Sequence, residues 1–254
     1  MATRKPGNSR PRSAAVGTMG WVMYEGPSLL DGEPIVVIAT RFSGNGKTGE
    51  TSGKDHEDRN MVQTWILRSD MAPTTAHSCN ADKSVCGNCP MRKAGCYVEI
   101  GKAPGHIWRS YKAGKYESEI EPSDVAHRAM RLGSYGDPAA APIEVFERVL
   151  PSRHTGYTHQ WRECDQRWSE YLMASVENAS EMREAQAAGW RTFRVKGENE
   201  QVQEGEIECP ASKSDKVKCI KCGLCNGNAG DCALSSCING HGKDAGKIDA
   251  RNGR

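Results

Sequence analysis

A chain of 254 residues is long enough for one large α/β unit or two ordinary domains, but an apolar fraction of 37% with only three phenylalanines is thin for that size. Its 34 basic and 32 acidic side chains leave a net charge of +2, which excludes a global field as the means of attracting a polyanion. A transmembrane helix is excluded because no apolar run reaches about 18 residues.

The first twelve residues carry four basic groups and no acid, with Pro and Gly that discourage regular structure. Residues 1–30 read as a basic, partly disordered arm suited to phosphate. No hydrophobic stretch follows it as a secretory signal requires, so the expected compartment is a reducing cytoplasm. Pro34–Phe42 is a β-branched run bounded by glycines, a buried strand. Residues 43–60 are Gly-rich and polar and read as a loop. Its Gly44-Asn-Gly-Lys-Thr48 lacks the spacing of a phosphate-binding loop. Met61–Arg68 is a second strand. Pro104–Lys112 reads as a short helix whose Arg109 and Lys112, with Lys115, stand beside Trp108 and Tyr111, either as a phosphate track or as a solvated face over core aromatics.

From residue 123 the pattern is regular. A helix from Ser123 or Asp124 precedes the strand Arg131–Tyr135, and Pro142 opens a helix over 143–150. Strands follow at 155–161 and 171–176. Asn178 stands three residues before Glu181, a capping box for a helix that ends at Gly189, and the strand 192–195 comes next. Repeated strand–helix units of this length predict a parallel sheet. The expected fold is α/β, a (β/α) barrel-like domain over 31–208 interrupted by cysteine-rich metal-binding insertions, with an open doubly wound sheet as the alternative.

Eleven cysteines punctuate the chain. Cys79, Cys86, Cys89 and Cys96 form one block; Cys209, Cys219, Cys222 and Cys225 form another, followed by Cys232, Cys237 and His241. Each block offers four soft ligands to a tetrahedral ion, so residues 209–254 are expected to be a metal-binding segment. The expected cofactor is Zn2+ at one or two sites. A [4Fe–4S] cluster at the upstream block is the alternative, because spacing alone does not separate the two.

In parallel α/β folds the chemistry gathers on loops leaving the C-terminal ends of strands. That rule selects Asp137, His159, Glu177 and, further along its loop, Asp165 as candidate acid–base or nucleophilic groups, against plainer roles as turn caps and helix N-terminal charges. Tyr135, Gly136, Tyr157, Gln160, Trp161, Ser175 and Lys196 are the expected substrate-binding neighbours.

Arg131-Leu-Gly-Ser-Tyr-Gly-Asp137, Tyr157-Thr-His-Gln-Trp161, Met173-Ala-Ser175 and Cys209-Pro-Ala-Ser212, with Cys219, Cys222, Cys225 and His241-Gly242, resemble small phage proteins related to the DNA 7-deazaguanine transglycosylases of the tRNA-guanine transglycosylase superfamily. The resemblance implies a barrel with a structural zinc and DNA as partner. It also implies exchange of guanine in DNA for a free 7-deazaguanine base such as preQ0, with a carboxylate attacking C1′. Asp137 would take one carboxylate role and Glu177 or Asp165 the other, with Tyr135, Tyr157 and Trp161 receiving the extruded base. Two other classes fit the cysteines: an iron–sulfur, radical-type nucleic-acid-modifying enzyme, and a non-catalytic zinc-containing DNA-binding protein.

Overall fold

The computed structural model describes residues 19–41, 48, 60–93, 95–228 and 233–240. The basic residues 1–12, most of the Gly-rich loop, Cys232 and His241 lie outside the described residues. Strand β1 (Gly20–Pro27) pairs antiparallel with β2 (Pro34–Thr40), and β2 pairs antiparallel with β3 (Val62–Arg68). Six of seven residues in β2 and all of β3 are buried, which is why β2 reads as a continuous apolar run rather than an alternating one, while β3 also buries Gln63, Thr64 and Arg68. After β3 come two short helices, α1 (Pro73–Ser78) and α2 (Lys83–Cys86), then α3 (Ala103–Lys112) and α4 (Pro122–Val125). In α3 Ile107 is buried, Trp108 donates to the Arg68 carbonyl at 3.0 Å and Lys112 to that of Ser69 at 3.3 Å, so this face serves the core rather than an open track.

Strand β4 (Met130–Tyr135) joins β3 in parallel, helix α5 (Ile143–Glu147) crosses back, and β5 (His154–Thr158) and β6 (Met173–Val176) continue the parallel set. Helix α6 (Ala179–Ala187) leads to β7 (Thr192–Lys196). The short β8 (Glu206–Glu208), helices α7 (Pro210–Lys213) and α8 (Cys219–Cys222) and β9 (Ser235–Asn239) complete the described chain. Strand β9 inserts between β7 and β8, giving the order β1-β2-β3-β4-β5-β6-β7-β9-β8.

The expected barrel is therefore corrected to an open, nine-stranded, mostly parallel sheet. The reason is local: the flank of β3 that a closing strand would need is already taken by β2 in antiparallel register. The sheet also crosses both expected segment boundaries. Residues 20–27 are its first strand rather than part of an arm, and β9 belongs to the segment expected to be metal-binding alone. Among the described residues no helix is long and apolar enough to cross a membrane.

Helices on the sheet bury Phe146 against Trp168, rings edge-on at 5.2 Å, with Leu132, Leu172 and Ile143 around them. Each large apolar side chain removed from water here contributes roughly 1.5–3 kcal/mol. Asn178 caps α6 as its spacing predicts: Oδ1 accepts from Ser180 N–H at 2.9 Å and Glu181 N–H at 3.0 Å, and Glu181 accepts from Glu177 N–H at 2.9 Å. Asn178→Ala is expected to lower stability by about 1 kcal/mol, read as a shift of the urea midpoint without a change of slope.

The first residue of β5 makes the fold acid-sensitive. Burial holds the His154 imidazole below its ordinary value, although the carbonyls of Pro151, Asn226 and Tyr171 oppose the shift. The unfolded chain therefore binds the proton first, and stability from this residue is lost as pH falls from about 6.5 toward the lower folded value. His154→Gln is expected to flatten stability between pH 7 and 5 relative to the parent, measured by urea unfolding at each pH.

Candidate functional site

The upstream cysteine block is carried across the C-terminal ends of the parallel strands by α1 and α2. Arg68, 4% exposed at the end of β3, donates to Asp70 at 2.9 and 2.8 Å, to Glu33 at 2.7 Å and to Ser84 of α2 at 3.0 Å. Asp82, buried just before α2, receives His77 at 2.7 Å and an Arg92 guanidinium N–H. These contacts fix both ends of the block. Helix α2 stops at Gly87, whose φ of +56° suits a residue without a side chain, and Cys89 N–H returns to the Cys86 carbonyl at 3.2 Å. A Cβ on Gly87 would stand 2.5 Å from the Gln160 amide, which itself donates to the Cys86 carbonyl at 3.3 Å. The C-G-N-C turn is thereby seated on the end of β5.

Asp137 follows β4 and is 6% exposed. One carboxylate oxygen accepts from Ala139 N–H at 3.1 Å, the other from His159 N–H at 2.8 Å and more weakly from the Gln160 amide at 3.5 Å. Its own N–H donates to the Val85 carbonyl at 2.6 Å. Burial pushes its pKa up, while His159, the Thr158 hydroxyl and these N–H groups pull the other way. This buried carboxylate braces its own turn and the 159–160 loop, with both oxygens engaged by backbone N–H groups. The neighbouring Gly136 is equally constrained, since a Cβ there would stand 2.6 Å from both Cβ and O of Ile66.

His159 and Glu177 are the pair that the adjacent strand ends bring together. His159 Nε2 lies 3.4 Å from Glu177 Oε1 and 3.8 Å from the Cys89 sulfur. Burial lowers the His159 pKa, but Cys89 and Glu177 outweigh it and raise the imidazole to about 10. Cys89 and Glu177 address the same ring nitrogen. A nucleophile–base–carboxylate relay uses the two different nitrogens of the ring, so this is not a catalytic triad.

The remaining expected residues are placed otherwise. Asp165 is exposed, caps the 3₁₀ turn Gln166–Glu170 and is tied to Arg167 at 2.7 Å, which consumes its carboxylate on the surface. Lys196 is buried, donating to the Glu200 carbonyl at 3.0 Å with Glu208 at 3.8 Å. Trp161 is buried under the Arg162 guanidinium, 4.0 Å from the ring centroid, and Tyr135 and Ser175 are buried as well. None of these three presents an open slot for a base. Tyr157 stacks on Phe193 at 4.3 Å and its hydroxyl meets the Cys225 thiol, so it belongs to the downstream block.

Of the upstream cysteines, Cys79 is exposed at the end of α1 with its thiol on the Ala76 carbonyl at 3.6 Å. Cys86 is different. Its thiol is pushed well up by burial, then by Cys89, Asp82, Cys96 and Asp137. Downstream, Cys209 donates its N–H to the Cys237 carbonyl at 2.7 Å, and Gly156 of β5 donates to the Cys225 carbonyl at 3.0 Å. Burial raises the Cys225 thiol to about 12, and Cys209, Cys219 and Cys222 add to it against the Tyr157 hydrogen bond. The described cysteines are all free thiols. Among the described residues, however, no three Cys, His, Asp or Glu side chains converge closely enough to hold an ion as they stand.

Sequence reasoning missed Asp82 and Cys164. Asp82 lies inside the first block, just before α2, and its position before a short helix was the available signal. Cys164, a lone thiol outside both blocks, is pushed to about 12 by burial and by Asp137. It lines a cavity of about 570 Å³ with Gln160, Asp165, Gly87 and Trp168, beside the seat of the C-G-N-C turn.

The fold thus gathers Cys86, Cys89, Cys96, Asp137, His159, Gln160 and Glu177 at the strand ends. Comparison of the chain with protein-family models, with curated proteins and with solved structures finds no match.

Proposed function

We propose that this chain is a nucleic-acid-modifying enzyme whose reaction centre is a metal group held by the thiolates of Cys86, Cys89 and Cys96. One observation carries the reading: the C-G-N-C turn is locked onto the C-terminal end of β5 through Gln160, beside His159 and Glu177, where parallel α/β folds place their chemistry. Cys89, Asp82, Cys96 and Asp137 all raise the Cys86 thiol, so a cation there would offset a concentration of acid and sulfur. An iron–sulfur cluster at this place supplies electron-transfer chemistry, and zinc would supply a polarised oxygen. The chain's own residues do the rest: Asp82 with Arg92 holds the block, and Asp137 orients the His159 backbone. The substrate class comes from the resemblance and from the basic residues 1–12. The test is anaerobic purification with iron, sulfide and zinc analysis, followed by incubation with DNA and nucleoside mass spectrometry. Iron or zinc at the upstream block, with a modified nucleoside that is lost in Cys89→Ser, is expected; a metal-free, folded and active protein overturns the reading.

A second reading, exchange of guanine for a 7-deazaguanine base, is favoured by the Glu177–His159 pair at 3.4 Å. In that case Glu177, rather than the fully engaged Asp137, attacks C1′, and the protonated His159 delivers the proton to the departing guanine. Incubation of duplex DNA with labelled guanine or preQ0 separates the two. Incorporation abolished by Glu177→Gln selects exchange, and no incorporation by a protein that still modifies DNA rejects it.

A further inference from the structure

We propose that His159 is a metal ligand at the upstream block, completing with Cys86, Cys89 and Cys96 the set that the sequence pattern alone assigns to Cys79. The inference rests on the metal reading above and refines it. Two observations carry it. Cys79 sits exposed at the end of α1, its thiol spent on the Ala76 carbonyl at 3.6 Å, whereas Cys89 sulfur and His159 Nε2 face one another at 3.8 Å. Zinc–sulfur and zinc–nitrogen bonds of about 2.3 and 2.05 Å at a tetrahedral angle place the two ligand atoms about 3.6 Å apart. The observed 3.8 Å lies close to that spacing and is also within reach of a sulfur–imidazole hydrogen bond. Glu177 Oε1 approaches the same nitrogen at 3.4 Å, again from the side an ion would occupy rather than from the far ring nitrogen.

The surroundings suit a ligand histidine. Asp137 accepts the His159 backbone N–H at 2.8 Å and Gln160 fixes the adjoining cysteine turn, so the loop that carries the ring is held against the cysteine block. Cys86 and Cys96 belong to the same tied segment: the Cys89 N–H returns to the Cys86 carbonyl at 3.2 Å and the Cys96 N–H to the Met91 carbonyl at 2.9 Å. A histidine in place of one cysteine also suits iron–sulfur centres, where it raises the potential.

The test uses full-length protein loaded with Co2+ without oxygen, comparing the parent with Cys79→Ser, Cys89→Ser, His159→Ala and His159→Cys. Metal stoichiometry, the thiolate-to-cobalt absorption and the histidine-nitrogen coupling in pulsed electron paramagnetic resonance are read on each, with circular dichroism as the check on folding. Cys79→Ser is expected to keep the parent's metal and spectrum. Cys89→Ser and His159→Ala are expected to lose affinity at the upstream site by at least roughly tenfold. His159→Cys is expected to hold cobalt with stronger thiolate absorption and without that nitrogen coupling. Loss of metal in Cys79→Ser with an unaltered coupling in His159→Ala overturns the ligand assignment and leaves the metal reading standing. A folded parent that binds no metal overturns both.

Discussion

Asp137→Ala is expected to destabilise the protein by about 3–5 kcal/mol, the scale of removing a buried, multiply hydrogen-bonded carboxylate. The alanine leaves the N–H groups of Ala139 and His159 without an acceptor in a site where Asp137 is 6% exposed. Each orphaned donor costs about 1–3 kcal/mol. Asp137→Asn keeps one acceptor oxygen but turns an NH2 toward the other N–H donor, so it should still cost about 1–3 kcal/mol, less than alanine. Burial raises the folded pKa above the unfolded one, so the stability this group brings is greatest below the ordinary carboxylate range and is lost as pH rises through the folded value. Urea unfolding of both variants at pH 7 checks the prediction. An alanine variant within about 1 kcal/mol of the parent would mean that the brace is dispensable. Loss of activity in Asp137→Ala therefore does not identify a nucleophile. Glu177→Gln is the informative substitution, since it removes the charge that faces His159 at 3.4 Å while keeping the size of the side chain.

Much of the sheet was legible because its strands are written in the residues that burial demands. Ile35-Val-Val-Ile-Ala39 is a continuous apolar run and Trp65-Ile-Leu67 a short one because both faces are covered, and Asn178 with Glu181 announced α6 and its cap. The strand-end rule placed Asp137, His159, Gln160 and Glu177 at one edge without coordinates. Closure was not legible, because the spacing of strand–helix repeats says nothing about which neighbour occupies the free flank of β3; that depends on β2 folding back from an earlier part of the chain. Strand β9, Ser235-Ser-Cys-Ile-Asn239, carries almost no strand signal of its own and is buried only because β7 and β8 flank it. Cysteine spacing likewise treats all four thiols of a block as equal. The exposure of Cys79 and the proximity of His159 arise from the turn of α1 and the register of β5, which no local pattern encodes.

Arg194→Met should produce a loss of similar size, about 3–5 kcal/mol, for the opposite electrostatic reason. Arg194 is 1% exposed in the middle of β7 and meets the fully buried Glu206 through two bonds, Nε to Oε1 at 2.9 Å and Nη2 to Oε2 at 2.8 Å. It also donates to the Gln201 carbonyl at 3.0 Å and lies 3.3 Å from Glu200. Truncation leaves the Glu206 carboxylate buried with the Gln203 N–H at 3.0 Å as its remaining described partner. The double variant Arg194→Met/Glu206→Leu removes both charges and should recover most of the loss, because two desolvation costs disappear with the attraction that offset them. A double variant no more stable than the single one would show that the hydrogen bonds to residues 201 and 203, rather than the ion pair, hold this end of the sheet. The consequence reaches the downstream cysteines: the pair spans β7 and β8 with β9 between them, and Cys209 hangs from β9 through the Cys237 carbonyl at 2.7 Å. Amide exchange in β9 should therefore accelerate in Arg194→Met before global unfolding is detectable.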